Sequence, residues 1–373
     1  MENIEKNYDP TTAKRIASVD FFRGFTMFLL IGESTRLYSH FNSIENSNIM
    51  QFIGTQLSHH QWHGLHFWDL IQPFFMFIVG VAIPFAVANR IKKGDSNRLI
   101  MLHAFKRSFL LLILGWGIYC IEPGKIVFKF QDVLAQLSVT YLIAFLIMRK
   151  SFSFQLILTL IILLLIDLAY RFFPVEGFNQ PWVAYQNLGA WVNNKIEGVD
   201  KASIWASLNA ISTTAHTVWG VLCGKLLMSD RSVKKKIQIM VVAGLAGLIM
   251  GYSLDFLNIT PIIKKIATSS FVFASGGWAI LALCLCYWLI DVKKLFSEGS
   301  KFFIIVGMNC IFIYLFFEVG GARLLSNIFT PFTTTLFSWG RDLTVEIMTS
   351  LFVWASLWYI CYWLYKNRLF IKI

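Results

Sequence analysis

"HHQWHGLHFWDLIQPFFMFIVGVAIPF", residues 59–85, decides how this chain is read. Four of the seven histidines of the protein fall in its first eight residues, and the stretch then becomes an almost uninterrupted apolar run. A bilayer core is crossed by about 20 apolar residues in a helix, and the run from Phe67 onward is long enough. The same pattern recurs along the chain. Of 373 residues, 56% are hydrophobic and only 14% charged, whereas a soluble domain carries about a quarter charged residues. The excess apolar surface must face lipid. The expected fold class is therefore all-α: a polytopic membrane bundle of about ten helices at roughly 18–36, 68–88, 107–121, 131–148, 152–170, 204–228, 237–256, 267–291, 302–320 and 346–365. Between them the longest connections are 37–67, 171–203 and 321–345. With no low-complexity tract or linker, the chain reads as an N-terminal segment, 1–17, followed by a single transmembrane domain, 18–373.

The net charge of +12 sits in short loops and acts as a topology signal rather than as a nucleic-acid surface. The clusters "AKR", "RIKKGDSNR", "RK", "DRSVKKK", "VKK" and "YKNRLFIKI" fall on one side of the expected spans and outnumber the cations on the other. Cytoplasmic loops carry such an excess, so both termini are expected in the cytoplasm and the histidine cluster on the extracytoplasmic face. The polar start "MENIEKNYDPTTAKR" does not read as a cleavable signal, which leaves the first span to direct insertion. The six cysteines lie in or beside apolar segments and read as small buried hydrophobes, not a disulfide or zinc framework.

Ionisable residues within or at the ends of spans each cost roughly 2.5–3.5 kcal/mol at the centre of an isolated helix, so they mark a structural pair or a polar site. Asp20 and Arg23 are three apart and share a helix face; Glu33 and Arg36 repeat the arrangement at the other end of the first span. Pro73 and Pro84 each remove a backbone donor from the second, which predicts a kink beside the histidines. His59, His60, His63 and His66 admit three readings from the residues alone. Spacings of four and seven would place three of them on one helix face, as in a zinc site. They could be interfacial residues beside Trp62 and Trp68. Or one could be a general base, since imidazole titrates near neutral pH. Asp69 is either the carboxylate that orients such a histidine or a residue favoured at a helix N-terminus. Trp182, Tyr185 and Trp191 could stack on sugar rings.

The order "SVDFFRG", "HHQWHGLHFWDLIQPFFMFIVG", "VLAQLSVTY", "PIIKKIATSSFVFASGG", "VGMNCIFIY" and terminal "NRLFIKI" resembles the heparan-α-glucosaminide N-acetyltransferase family, over nearly the whole chain from residue 15. The resemblance implies a transmembrane acetyltransferase that moves an acetyl group from cytosolic acetyl-CoA to the amine of an extracytoplasmic glucosamine-type sugar. An amino-sugar transporter coupled to protons is the alternative. In the family the His of H-x-x-W-x-G is catalytic, which selects His59, with His60 directly beside it. Candidates for holding substrate or acetyl-CoA are Asp20, Arg23, Glu33, Ser34, His60, Trp62, Asp69, Arg107, Gln136 and Asn309. Two positions depart from the family pattern: "GEST", with Glu33 and Ser34, stands where the family has a functional Asn, and Gln136 where relatives often have Arg. Acetyl-CoA is expected as donor substrate, with no metal. The bilayer and a second copy of the chain are the expected partners, and the expected location is a bacterial inner membrane.

Overall fold

The computed structural model describes residues 16–44, 47–121, 124, 126–197 and 203–371. Residues 1–15 of the expected cytoplasmic segment and the final two residues of "NRLFIKI" lie outside them. Among the described residues there is no strand; three quarters of the structure is helix. The helices are α1 Ala17–Ser34, α2 Leu37–Asn42, α3 Asn48–Gln56, α4 Ile71–Lys92, α5 Asn97–Ile121, α6 Val133–Ile147, α7 Phe152–Arg171 and α8 Leu188–Glu197. They continue as α9 Asn209–Ser212, α10 Thr214–Met228, α11 Val233–Phe256, α12 Ser269–Cys286, α13 Ser297–Met308, α14 Cys310–Glu318, α15 Gly321–Leu336 and α16 Asp342–Lys366. The protein is a polytopic helical membrane protein.

Six helical segments are long and apolar enough to cross a bilayer: Phe67–Lys92, α5, α7, α11, Ser269–Val292 and α16. The expected span at 302–320 is broken. α13 and α14 meet at Asn309 with a 62° bend, and as one element they would make a seventh. α1 carries Asp20, Arg23 and Glu33, while α6 and α10 have 15 residues each, so these three do not qualify on length and composition alone. The expected span from 204 shortens because 203–213 is turn and a single short helix, rich in polar groups such as Ser207, Asn209 and Thr213. A further helix lies where a loop was expected. α15 exposes Leu324, Ile328, Phe332 and Leu336, one every fourth residue, so its apolar side is a single stripe.

α4 is the centre of the bundle: 72% of its apolar window is buried inside the protein, against 17% for α7 and α11. It packs on α10 at backbone contact. A Cβ on Gly80 would lie 2.0 Å from the Thr217 carbonyl oxygen, one on Gly220 2.1 Å from that of Phe77, and one on Gly224 2.4 Å from that of Val81. Glycines four apart let two membrane helices approach this closely. Pro73 is the third residue of α4, where the N–H has no intrahelical partner, so it causes no break of the expected kind. Pro84 is buried within the helix. At its other end the bundle closes through a π-helical turn, Tyr287–Val292, which swings Asp291 onto the start of α1. Its carboxylate accepts from the backbone N–H of Ala17 and of Ser18, at 3.0 Å each, satisfying two donors that a helix N-terminus leaves open.

Candidate active site

The site is built from three connecting segments that meet at one end of the bundle: 57–70 before α4, 203–208 before α9, and 257–268 between α11 and α12. Backbone and side-chain bonds lock them together. The Gly64 N–H donates to the Ile262 carbonyl at 2.9 Å and the Ala206 N–H to that of Lys265 at 2.8 Å. The Asn193 amide donates to the carbonyls of Ser203 and Trp205, at 3.0 and 2.7 Å, and its oxygen accepts from the Ser207 N–H. Thr268 and Asn209 tie down the 257–268 loop in the same way. Gly64, at φ 141°, passes so close to His60 that a Cβ there would stand 2.5 Å from the ring nitrogen, which no side chain permits.

At the junction stands Asp69, 1% exposed, on a short 3₁₀ turn at the mouth of α4. Its Oδ2 accepts from the backbone N–H of His60 at 3.1 Å and of His66 at 2.9 Å. Its Oδ1 lies 2.9 Å from His59 Nδ1. An ionised carboxylate only accepts, so this contact places the ring proton on Nδ1 and leaves Nε2 a bare lone pair. Lys264 Nζ stands 3.7 Å from the same Oδ1 and 3.2 Å from Nδ1. The ammonium is therefore an ion-pair partner of Asp69, and Lys264 is only 7% exposed. The Trp205 ring closes the site, with its centroid 5.2 Å from that of His59 and 5.4 Å from Lys264 Nζ. Burial, and next the Lys264 ammonium, hold His59 below its ordinary pKa against the opposing pull of Asp69. Burial likewise lowers Lys264, to about 8, with Asp69 and Glu33 resisting. At neutral pH the site thus holds a neutral imidazole, 35% exposed, backed by a carboxylate and flanked by an ammonium. This is the equipment of an oriented general base.

The other expected residues divide. Glu33, at the C-terminal end of α1, faces Trp68 and Lys264. It does not pair with Arg36, because α1 ends at Ser34 and Arg36 turns away at φ 66°. Ser34 spends its hydroxyl on the Ile31 carbonyl. Trp62 donates to the Trp182 carbonyl at 2.7 Å. The Gln136 oxygen accepts from Gln72 at 2.6 Å, three residues beyond Asp69. His60 and His66 stack edge to face at 4.7 Å, and burial lowers the pKa of His60. His63 is drawn to Asp255, with Nε2 and Oδ1 2.7 Å apart. Residues 57–66 are not helical, so the shared helix face on which a zinc reading rested does not form. Trp182 stacks on Tyr170 and Trp191 packs on Phe173.

Four expected candidates lie apart from His59. Asp20 and Arg23 form an ion pair of 2.9 Å near the start of α1. Asn309 is fully buried; its amide donates to the Leu369 carbonyl and its oxygen accepts from the Ile371 N–H, each at 3.1 Å. It clamps the last described residues onto the α13–α14 break. Arg107 lies over the Tyr141 ring at 4.7 Å, in a cavity of about 270 Å³ shared with Arg90, His103 and Lys106. The buried Nε of Arg107 finds no hydrogen-bond partner among the described residues. Lys264, Lys265 and Trp205 were missed as site residues. The doubled lysine had a legible signal, since two cations before an apolar span on the face expected to be poor in them run against the positive-inside bias.

No family model matches the chain. The heparan-alpha-glucosaminide N-acetyltransferase of Mus musculus is 26% identical to it over a 441-residue alignment covering 99% of this chain and 63% of the mouse protein. That of Homo sapiens is also 26% identical, over 423 residues, 96% of this chain and 60% of the human protein. This chain is thus similar, along nearly its whole length, to two heparan-alpha-glucosaminide N-acetyltransferases. It spans about three fifths of the length of these curated relatives. The H-x-x-W-x-G histidine, His59, is the one whose Nδ1 meets Asp69, while the second histidine of the pair contributes a backbone N–H to the same carboxylate.

Proposed function

We propose that the protein is a transmembrane acetyltransferase that uses acetyl-CoA to acetylate the amine of an extracytoplasmic amino sugar. The observation that carries the reading is the His59–Asp69 pair, whose bare Nε2 stands at the mouth of the central helix, together with the names of the relatives. In the reaction the amine nitrogen bonds to the acetyl carbon as the carbon–sulfur bond to CoA breaks. The amine proton passes to His59 Nε2, and from there to the departing thiolate to give free CoA. Asp69 holds the imidazole in the productive tautomer. Lys264, an ammonium beside the reacting atoms, favours the negative charge that develops on the carbonyl oxygen.

The donor is polyanionic and enters from the cytoplasm. The cavity holding Arg90, Lys106 and Arg107 opens at the basic ends of α4 and α5 and suits its phosphates; Arg23 is a second candidate. Ten crossings, with both termini cytoplasmic, a bacterial inner membrane and a homodimer complete the reading. A periplasm-active reporter fused after Ile373 stays silent if that orientation is right.

The decisive experiment uses purified protein in detergent, with acetyl-CoA and glucosamine. Acetylated product without any sealed compartment is the expected result, and it separates an enzyme from a proton-coupled transporter, which needs a membrane to be scored. No product from any amino sugar would sink the proposal. A parallel titration with CoA, dephospho-CoA and pantetheine tests the phosphate contacts, and equal affinity for all three would exclude them.

A further inference from the structure

Beside the His59 site runs a second cavity that the chemistry above does not use. It is a crevice of about 660 Å³ between α1, the start of α4 and α12. Its walls include Phe22, Phe25, Phe74, Leu281, Leu285 and Ile290, and its far end is Phe296. Polar side chains gather at the other end: Gln56 and His66, with Tyr252 and Trp278, which bond to each other at 3.4 Å. From Trp278 on α12 to Ile290 on the π-helical turn it runs twelve residues, roughly 18 Å at the helical rise, a little more than half the ~30 Å hydrocarbon core. Leu285 on its rim is 55% exposed and lies on Ser269–Val292, one of the apolar crossing segments, so the crevice opens sideways to lipid rather than to water. The π-helical turn forms its deep end through Leu289 and Ile290; such turns occur often at functional sites.

The mouth connects directly to the reaction centre. His66 lines it, and the backbone N–H of His66 donates to the carboxylate that holds His59. A pantetheine arm would find no side-chain amide partners along the apolar length of the crevice, which leaves its two amides desolvated and unpaired. A hydrocarbon chain fits, and so placed it would bring an attached head group to His66, beside His59.

Resting on the acetyltransferase reading, we propose that this crevice holds the hydrocarbon chain of the acceptor itself. The amino sugar acetylated at His59 is then lipid-anchored and arrives from within the outer leaflet of the bilayer, not free from solution.

The test compares methyl and octyl β-glucosaminide as acceptors in one detergent at fixed micelle concentration. Each methylene moved from water into an apolar site is worth about fourfold, but the micelle competes for the chain. A net preference of about tenfold in kcat/KM for octyl over methyl, some two methylenes' worth, is therefore expected. Ala282→Trp, which fills the crevice, should bring the octyl substrate down to the methyl value and leave methyl turnover unchanged. If Ala282→Trp loses methyl turnover as well, Leu285→Trp, at a more exposed position on the rim, takes its place. Equal kcat/KM for the two substrates in the wild type overturns the proposal. So does an octyl preference that survives the crevice-filling variants, since detergent partitioning then explains it. Turnover of methyl glucosaminide with no chain-length effect leaves the acetyltransferase reading standing; turnover of neither removes that reading first.

Discussion

Asp69→Asn tests the centre of the site, because the two halves of the carboxylate do different work. Asparagine can accept on one side only. With its nitrogen in the Oδ2 position, the amide would face the backbone N–H groups of His60 and His66, now 3.1 and 2.9 Å away. Two buried donors would lose their acceptor, at about 1–3 kcal/mol each. With its nitrogen in the Oδ1 position, only one partner must adapt, and that partner is His59. Its Nδ1 would turn from donor to acceptor and the proton would move to Nε2. The second arrangement costs less, so the variant keeps its loop and loses its base. The expected fall in turnover is about 10²–10⁴-fold.

The same substitution strands Lys264. Its ammonium sits 3.7 Å from the lost charge, which at an effective dielectric of about 20 is worth about 4 kcal/mol. Releasing the proton instead costs less: from a folded pKa of about 8, deprotonation at pH 7 takes about 1–2 kcal/mol. The cheaper route sets the limit, so about 1–2 kcal/mol is the ceiling on stability lost through the stranded charge. Thermal unfolding in detergent should show a drop worth about 1–2 kcal/mol for Asp69→Asn, with most of it regained in Asp69→Asn/Lys264→Met, because methionine removes the stranded lysine. Acetyl transfer should stay low in both. Recovery of activity in the double variant would show that the ammonium, not the tautomer, was at fault. Full activity in the single variant would remove Asp69 from the mechanism altogether.

Three other perturbations have defined outcomes. His59→Ala should cost about 10²–10⁴-fold in turnover with CoA affinity kept, while His60→Ala, which retains its backbone N–H, should cost far less; the reverse order in the same assay would transfer the chemical role to His60. Lys264→Met removes a charge that depresses His59, so the imidazole pKa rises and the acid limb of kcat/KM moves to higher pH; a limb moving lower refutes the arrangement. The folded value of Lys264, about 8, lies below its ordinary 10.5, so the folded chain binds fewer protons in that window and stability should rise with pH across it, a rise that Lys264→Met abolishes. Gly220→Leu forces a side chain into the Phe77 carbonyl 2.1 Å from its Cβ, and should lower the melting temperature by the equivalent of at least about 1–3 kcal/mol; an unchanged melting temperature would mean α4 and α10 do not pack as described.

The spans were legible because lipid imposes one rule on every residue of a crossing helix, and composition alone carries it. Each expected span meets a helix, but apolarity alone does not say which face meets lipid: α7 is as apolar as α4 and is 17% buried where α4 is 72% buried. The errors fall where polar residues decide the backbone. Asn309 breaks a run of apolar residues that hydropathy reads as continuous, because its side chain is committed to residues some sixty positions later. Ser207 and Asn209 delay α10 for the same reason, being committed to Asn193 and to the Lys265 carbonyl, partners that the local pattern does not announce.

His59 could be selected from a motif, yet nothing adjacent in sequence says which tautomer it holds or what stands behind it. Asp69 is ten residues away and within the motif, so its role was visible as one of two alternatives. Lys264 lies 205 residues on and Asp255 192 residues from His63. Those pairings exist only because α11 and α12 return the 257–268 loop to the mouth of α4, where Gly64 and Ile262 bond backbone to backbone. The arrangement also explains why four histidines cluster where only one needs to react. The His66 ring donates from Nδ1 to the Ser58 carbonyl at 3.0 Å and packs edge to face on His60, and His63 fixes the partner loop through Asp255. Each therefore restrains the carboxylate or the lysine that sets the state of His59. Substituting any of the three should disturb positioning more than chemistry, and should shift the pH profile before it abolishes the rate.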